Sequence, residues 1–235
     1  MVRKLAYSVS EREHWVSSVG GLVGIFAVLW VSHFWLGGHG GVLAIASMGA
    51  SAVLLFAAPH GALSQPWPVL GGHLVSALVG VTCARWLGGE PMLAASLAVA
   101  LSIAAMYGLR CLHPPGGATA LYAVLGGETV HALGYGYLFS PVLLNVVVLL
   151  AVAVAFNYPF AWRRYPQCWH RRVQDTAEPA RESMIPHSNL VYALSQLDTF
   201  VDVSEDDLQR IYALALAGQP QPAAGASTQT AESLR

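Results

Sequence analysis

Charged side chains are scarce in this sequence of 235 residues. They make up 11% of the chain, whereas ordinary soluble domains carry about a quarter. The shortage is greatest within residues 17–156, which hold only four formal charges and contain neither lysine nor aspartate. Such a stretch is too apolar for a water-soluble core. The lack of a basic surface also excludes nucleic acid as the main partner.

The sequence also has few cysteines and none of the common catalytic motifs. The three cysteines, Cys83, Cys111 and Cys168, lie in no CxxC spacing. Neither a disulfide framework nor a thiolate zinc site is therefore indicated. The chain has no GxSxG elbow, Walker A loop or HExxH motif. Because the residues of hydrolytic and phosphoryl-transfer chemistry are missing, we expect no enzyme activity, no cofactor and no bound metal.

Long apolar segments dominate what is present. A helix needs about 20 predominantly apolar residues to cross the roughly 30 Å of hydrocarbon in a bilayer. Five segments are predicted to cross: 17–36, 42–58, 69–87, 92–109 and 138–156. The predicted fold class is all-α: a polytopic transmembrane helix bundle over residues 17–157, after a cytoplasmic N-terminal segment at 1–16.

Arginine and lysine lie on both flanks of the apolar region. The positive-inside rule therefore predicts a cytoplasmic (inner) membrane protein with both termini in the cytoplasm. Both ends on one side require an even number of crossings. Residues 111–137 are then predicted to complete a sixth crossing as a broken helix, and a re-entrant loop is the alternative. Glycine-rich helix faces favour a homo-oligomer in the lipid bilayer.

The densest cluster of polar groups lies at a proline–glycine break. Its candidate substrate-binding residues are Arg110, His113, Pro114, Pro115, Gly116, Gly117 and Thr119. The prolines end the preceding helix. A helix that restarts at Gly116 or Gly117 would present free N–H groups to an anion. Arg110 would add a positive charge and Thr119 a hydroxyl.

A simpler interpretation of this break stays open. Arg110 could end a span at the membrane surface, and the prolines could form a kink only. His113 and Glu128 are candidate proton-coupling groups, because ionisable groups inside a membrane are costly and usually functional. Glu128 follows two glycines, and the sequence allows it either a headgroup position or a buried one.

A second proline–glycine break begins at residue 59. Residues 59–72 and 114–127 match at six of their positions without a gap. The candidate residues of this second broken segment are Pro59, His60, Gly61, Gln65 and His73. Paired broken segments are a pointer to a substrate site near the membrane midplane in many secondary transporters.

The composition changes after the apolar region. Residues 158–217 are predicted to form a small cytoplasmic helical hairpin, because Leu190 and Leu194, and later Leu208 and Ile211, recur at helical spacing. The apolar stripe of this hairpin needs a partner: the bundle, another protomer or the lipid surface. Residues 218–235 are polar and predicted to be disordered.

Several stretches of the chain resemble the HPP family of small integral membrane proteins. They are GASAVLLFAAP at 49–59, SQPWPVLGGHLVSALVGV at 64–81, RCLHPPGGATAL at 110–121 and FNYPFAWRRYP at 156–166. The tail sequence YALSQLDTFVDVSEDDL at 192–208 is similar to the cytoplasmic segment of bacterial members. The resemblance implies four spans, fewer than the segment lengths predict. It also implies anion handling, since plastid and cyanobacterial members are associated with nitrite transport.

These observations predict an integral membrane transporter or channel for a small inorganic anion, nitrite-like, with its site at residues 110–119. The alternative is a membrane scaffold or sensor whose tail hairpin binds a partner. Transport requires a polar site within the bundle, whereas the scaffold requires only that the break be a packing device.

Overall fold

In a computed structural model of the chain, the structure describes residues 11–36 and 45–169, and the single residues 189, 208 and 212. The chain divides into two compact units, Met1–Ala177 and Glu178–Arg235. The helix bundle belongs to the first unit. The three described residues of the second unit are helical, and the rest of the predicted hairpin and the predicted disordered end lie outside the described residues.

The first unit is all-α over its described ranges, as predicted. Its helices are α1 (Glu11–Leu36), α2 (Ile45–Ala57), α3 (Pro66–Trp86), α4 (Pro91–Gly108), α5 (Pro114–Leu125), α6 (Glu128–Leu133) and α7 (Leu144–Asn157). A wider helical turn over Leu138–Leu143 leads into α7. The helix is irregular there because Pro141 has no N–H to donate.

Four of the described helices are long and apolar enough to cross a membrane. They are Glu11–Trp35, Pro66–Trp86, Pro91–Gly108 and Leu138–Asn157. Each overlaps one of the predicted segments, and the number agrees with the four spans that the resemblance implies.

Of the predicted span at residues 42–58, the structure describes residues 45–58, and α2 covers most of them. Helix α2 covers 13 residues, which is about 20 Å at 1.5 Å per residue. Helix α5 has 12 residues and is shorter still. Over the residues that the structure describes, neither helix alone reaches across roughly 30 Å of hydrocarbon.

One end of the bundle gathers the start of α1, the end of α2 and the chain after α7; we call it the Arg163 end. Arg163 forms a salt bridge with Glu13 and donates to the Phe56 carbonyl. The start of α3 lies at the same end, because the Tyr165 hydroxyl donates to the Ser64 carbonyl at 2.8 Å. Both flanks of the apolar region therefore lie together, as an even number of passes requires.

The other end of the bundle, which we call the Arg85 end, holds the end of α3 and the segment after α6. There the Arg85 guanidinium lies 5.5 Å from the centre of the Tyr135 ring. The end of α4 returns to the Arg163 end, where Trp67 Nε1 donates to the Leu109 carbonyl at 3.2 Å. Successive helices α1 to α5, and then α7, thus alternate in direction between the two ends.

Small residues let these helices approach closely. A Cβ built on Gly20 or Gly24 would lie 2.5 or 2.6 Å from the Phe56 ring, and one on Gly80 would lie 2.6 Å from the Ala120 carbonyl oxygen. Such contacts replace the hydrophobic drive that is absent between helices in lipid. The glycines of α1 therefore pack against α2 and α7, and Gly80 joins α3 to α5.

Candidate functional site

Four polar side chains with no exposed surface meet between α2, α3 and α5. They are Ser51 of α2, His73 of α3, His113, which immediately precedes α5, and Thr119 within α5. His73 lies seven residues after the start of α3, or about 10 Å along the axis from the Arg163 end. This polar cluster is therefore inside the bundle rather than at its surface.

The four side chains form one continuous hydrogen-bonded chain. Thr119 Oγ1 lies 2.7 Å from His73 Nδ1, and His73 Nε2 lies 2.8 Å from Ser51 Oγ. Ser51 Oγ is also 2.8 Å from His113 Nε2, and His113 Nδ1 is 2.8 Å from the Leu63 carbonyl oxygen. The two imidazole rings are 5.0 Å apart between centroids. We call this set the histidine chain.

The direction of these hydrogen bonds follows from what each atom can donate. A carbonyl only accepts, so His113 Nδ1 carries a proton, and in a neutral ring its Nε2 accepts from Ser51. Because Ser51 has one hydrogen, the other bond runs from His73 Nε2–H to Ser51 Oγ. His73 Nδ1 then accepts from the Thr119 hydroxyl. With both histidines neutral, every bond points from Thr119 towards Leu63.

Glycines make room for this chain between α3 and α5. A Cβ on Gly72 would lie 2.6 Å from His113 Cβ. A Cβ on Gly116 would lie 2.8 Å from both the Gly72 carbonyl oxygen and Ser76 Oγ. Gly116 therefore serves close helix packing, and the space that the sequence assigned to a ligand is occupied by α3.

Arg110 lies away from the histidine chain. It is exposed and has a left-handed backbone with φ of 53°, at the turn that ends α4. The N–H of Arg110 bonds to the Tyr107 carbonyl and that of Cys111 to the Met106 carbonyl, which is a Schellman motif. This turn directs Arg110 outwards and returns Cys111, which is fully buried, to the bundle. The predicted combination of Arg110 with His113 in one pocket is not formed.

The prediction that the helix restarts at Gly116 or Gly117 is wrong. Helix α5 begins at Pro114, with prolines in its first two positions. Neither proline has an N–H, and the N–H of Gly116 donates to the His113 carbonyl at 2.8 Å. The start of α5 therefore lacks the set of free donors that an anion site at a helix N-terminus requires.

The four charged side chains within residues 17–156 are all exposed. Arg85, Glu90, Arg110 and Glu128 lie at or beyond helix ends. Glu128, a candidate for proton coupling, begins α6 at the surface and does not join the histidine chain. The bundle interior between these ends therefore contains no permanent charge in the described part of residues 17–156.

The second broken segment contributes one member to the site and otherwise stabilises a loop. His73 belongs to the histidine chain. Gln65 Nε2 donates to the carbonyls of Pro59 and Gly61, at 3.1 and 3.0 Å, and its Oε1 accepts from the N–H of Gln167. His60 is half-buried and lies outside the histidine chain. This segment thus connects the start of α3 to the chain after α7.

A second buried polar cluster lies at the Arg163 end. Arg163 is 1% exposed and donates to Asn157 Oδ1 at 3.3 Å and to Ser17 Oγ at 3.0 Å, besides Glu13 and the Phe56 carbonyl. Burial lowers the pKa of the Arg163 guanidinium, and the Glu13 carboxylate opposes this shift. We call these residues the Arg163 cluster. Because the cluster connects α1, α2 and α7, we assign it a structural role.

Ser51 is the member of the histidine chain that the sequence analysis missed. Ser47 and Ser51 are four residues apart in an apolar helix, a spacing that is also typical of packing. The Ser51 hydroxyl lies 3.1 Å from the Ser47 carbonyl oxygen, the usual contact of a helical serine, but the two histidine nitrogens are closer.

In the described residues, no group of three or more histidine, cysteine or acidic side chains could hold a metal ion.

Comparison with known proteins connects this fold to a family. The sequence profile described as "HPP, transmembrane region" matches residues 6–166. The chain belongs to the HPP family. This HPP protein is accordingly an integral, multi-pass membrane protein, and its matched region contains the histidine chain and the Arg163 cluster.

Two relatives of this HPP protein are transmembrane proteins of Dictyostelium discoideum. One is 37% identical over 131 residues, covering 54% of this chain and 42% of the relative. The other is 38% identical over 128 residues, covering 53% of this chain and 45% of the relative. The match spans less than half the length of each relative. No solved structure matches the chain significantly.

Proposed function

We propose that this HPP protein transports a small inorganic anion of the nitrite class across the membrane, together with a proton that uses the histidine chain. The observation that carries this proposal is the chain itself: Ser51, His73, His113 and Thr119 are fully buried and connected by hydrogen bonds of 2.7 to 2.8 Å. Ionisable groups inside a membrane bundle are costly and mark ion and proton pathways.

The chain can hold one excess proton and move it between the two histidines. A proton added to His73 Nδ1 makes that ring a cation, and Thr119 then turns its hydroxyl to accept. His73 gives its Nε2 proton to Ser51 as Ser51 gives its own hydrogen to His113 Nε2. The charge then rests on His113, which donates to both Ser51 and the Leu63 carbonyl. Each imidazole has two ring nitrogens, so it can take up a proton on one side and release one on the other.

The absence of fixed charge in the interior favours an anion as the companion of this proton. All four charged side chains within residues 17–156 are exposed, so between the two ends of the bundle an anion meets no permanent cation from this region. A lone charge in a medium of low dielectric constant is strongly disfavoured. A protonated histidine would neutralise the anion inside the bundle, and the proton and the anion would cross together with no net charge.

Uptake into liposomes tests this function. Purified protein in liposomes with an internal pH dye should take up nitrite and acidify the interior, at rates above those of protein-free liposomes, which report the leak of nitrous acid. His73→Gln and His113→Gln should each reduce this excess uptake at least tenfold. Glutamine keeps hydrogen-bonding groups but holds no proton at these positions.

Matched variants separate this result from general damage. His33→Gln changes an exposed histidine of α1 and should keep wild-type uptake. Arg110→Gln should keep it too, because Arg110 is exposed and outside the histidine chain. Wild-type nitrite uptake in both His73→Gln and His113→Gln would contradict the proposed role of the chain.

We infer further that the protein resides in the inner membrane with both termini in the cytoplasm. The contact between Glu13 and Arg163 supports a common side for the two flanks, and the positive-inside rule supports the cytoplasm. Catalysis is not part of the proposal, and a homo-oligomer is compatible with it. The scaffold alternative concerns a tail whose predicted hairpin lies outside the described residues.

A further inference from the structure

A cavity opens at the Arg85 end between α3, α5 and α6. Its volume is about 180 Å³, several times the roughly 30 Å³ that one water molecule occupies in the liquid. Arg85, His131 and Gly134 contribute to its wall, and the rest of the lining is small or apolar, including Ala84 and Ala123. The cavity therefore has room for a small ion with some of its water.

The cationic side chain of this cavity is held in position. The Arg85 guanidinium lies 5.5 Å from the centre of the Tyr135 ring, and the Tyr135 hydroxyl is 3.3 Å from Thr82 Oγ1. Gly134 has a φ of 51°, a conformation that favours glycine, and a Cβ there would lie 3.3 Å from Arg85 Nη1. Aromatic stacking orients the guanidinium without using its five N–H donors.

The charge balance of the cavity is positive. None of its lining residues is acidic, and within the described part of the chain no carboxylate forms a salt bridge with Arg85. His131 is fixed by a 2.8 Å hydrogen bond from its Nε2 to the Val124 carbonyl. A guanidinium with unused donors beside a partly apolar cavity is a favourable site for a planar oxyanion or carboxylate.

The cavity lies about one helical turn from the histidine chain along α5. Ala123 is one turn after Thr119 on α5, and both residues face α3, where Gly80 contacts Ala123 and His73 contacts Thr119. The cavity thus lies between the Arg85 end and the member of the histidine chain that begins the proton path.

We propose that this cavity binds a small oxyanion through Arg85, and that it is the vestibule from which the anion approaches the histidine chain. The vestibule role rests on the proposed function, whereas anion binding does not. The same chemistry suits a free anion such as nitrite or formate and the phosphate of a lipid headgroup.

Isothermal titration calorimetry of the purified full-length protein in detergent, with sodium nitrite and with sodium formate, tests the binding. Wild-type protein should bind both anions with one site. Arg85→Gln should raise the dissociation constant at least tenfold, and Ala84→Leu, which fills the cavity without changing charge, should do the same. Arg110→Gln removes an equivalent exposed charge elsewhere and should leave the dissociation constant unchanged.

Nanodiscs distinguish the two sources of the anion. If a lipid phosphate is the occupant, nitrite should bind more weakly in phosphatidylcholine discs than in maltoside detergent, which has no phosphate, and native mass spectrometry should find a lipid retained by wild-type protein but not by Arg85→Gln. Equal nitrite affinity in the two media assigns the site to the free anion. Nitrite binding and lipid retention that are both unchanged by Arg85→Gln would overturn the site. If the wild-type protein binds nitrite but shows no uptake above that of protein-free liposomes, only the transport function is overturned. If Arg85→Gln takes up nitrite at the wild-type rate, only the vestibule role is overturned.

Discussion

Ser51 connects the two buried histidines, and its removal should cost stability as well as transport. Ser51→Ala leaves His73 Nε2 and His113 Nε2 without their shared partner in a site with no access to water. A buried polar group that loses its partner costs about 1–3 kcal/mol, so the free energy of unfolding should fall by about that amount. Denaturant unfolding of the purified protein, followed by circular dichroism, measures the change.

Ser102→Ala provides the matched control for Ser51→Ala. Ser102 is also fully buried in an apolar helix, but its hydroxyl has no hydrogen-bond partner in the described part of the chain. Its replacement removes a buried hydroxyl that has no partner there, so the free energy of unfolding should stay the same or rise. Equal losses in the two variants would show that the hydrogen bonds of Ser51 contribute nothing.

At the residue scale, the sequence indicates which polar side chains belong to a site more readily than it indicates where those side chains point. His113 and Thr119 follow from the proline–glycine break, because polar groups there are unusual in an apolar sequence. Arg110 belongs to the same motif, but the left-handed turn that ends α4 directs it outwards. Ser51 could not be distinguished from a packing serine, because its partners lie 22 and 62 residues away.

Two adjacent glycines test how closely α5 packs on α3. Gly116→Ala would bring a Cβ to 2.8 Å from the Gly72 carbonyl oxygen and Ser76 Oγ, so α5 must shift. Overpacking of this kind costs about 1–3 kcal/mol, and the shift should also reduce nitrite uptake by moving Thr119 from His73. In Gly117→Ala, the atom nearest to the new Cβ is 4.0 Å away. Because alanine favours a helix more than glycine does, the free energy of unfolding should stay the same or rise. Similar losses in both variants would contradict the packing described for α5.

At the scale of helices, segment length predicts the four long helices well, because an apolar run of about 20 residues has few alternatives. The predicted span at 42–58 corresponds to α2, which the structure describes from Ile45 onwards. The start of α5 at Pro114 was also missed, although proline is favourable in the first turn of a helix. The pairing of α3 with α5 depends on contacts that no local pattern contains.

For the whole molecule, the Arg163 cluster connects the beginning and the end of the bundle. In the sequence, Arg163 is one of several basic residues that follow the apolar region. The structure buries it to 1% exposure and surrounds it with groups from α1, α2 and α7. Local sequence could not predict this burial, because the salt-bridge partner Glu13 lies 150 residues away.

Arg163→Met should therefore destabilise the whole bundle, whereas Arg164→Met should not. Removal of the Arg163 guanidinium breaks the salt bridge to Glu13, which keeps its hydrogen bond from Trp162 Nε1, and leaves the Phe56 carbonyl without its buried donor; together this costs about 3 kcal/mol. Arg164 stacks 5.9 Å from the Tyr158 ring centre, a contact worth about 1 kcal/mol or less. Denaturant unfolding compares the two variants.

A double-mutant cycle measures the coupling between Glu13 and Arg163. Glu13→Gln should lower the free energy of unfolding less in the Arg163→Met background than in the wild type. Additive losses of free energy would mean that the start of α1 and the chain after α7 each pack against α2 without the other.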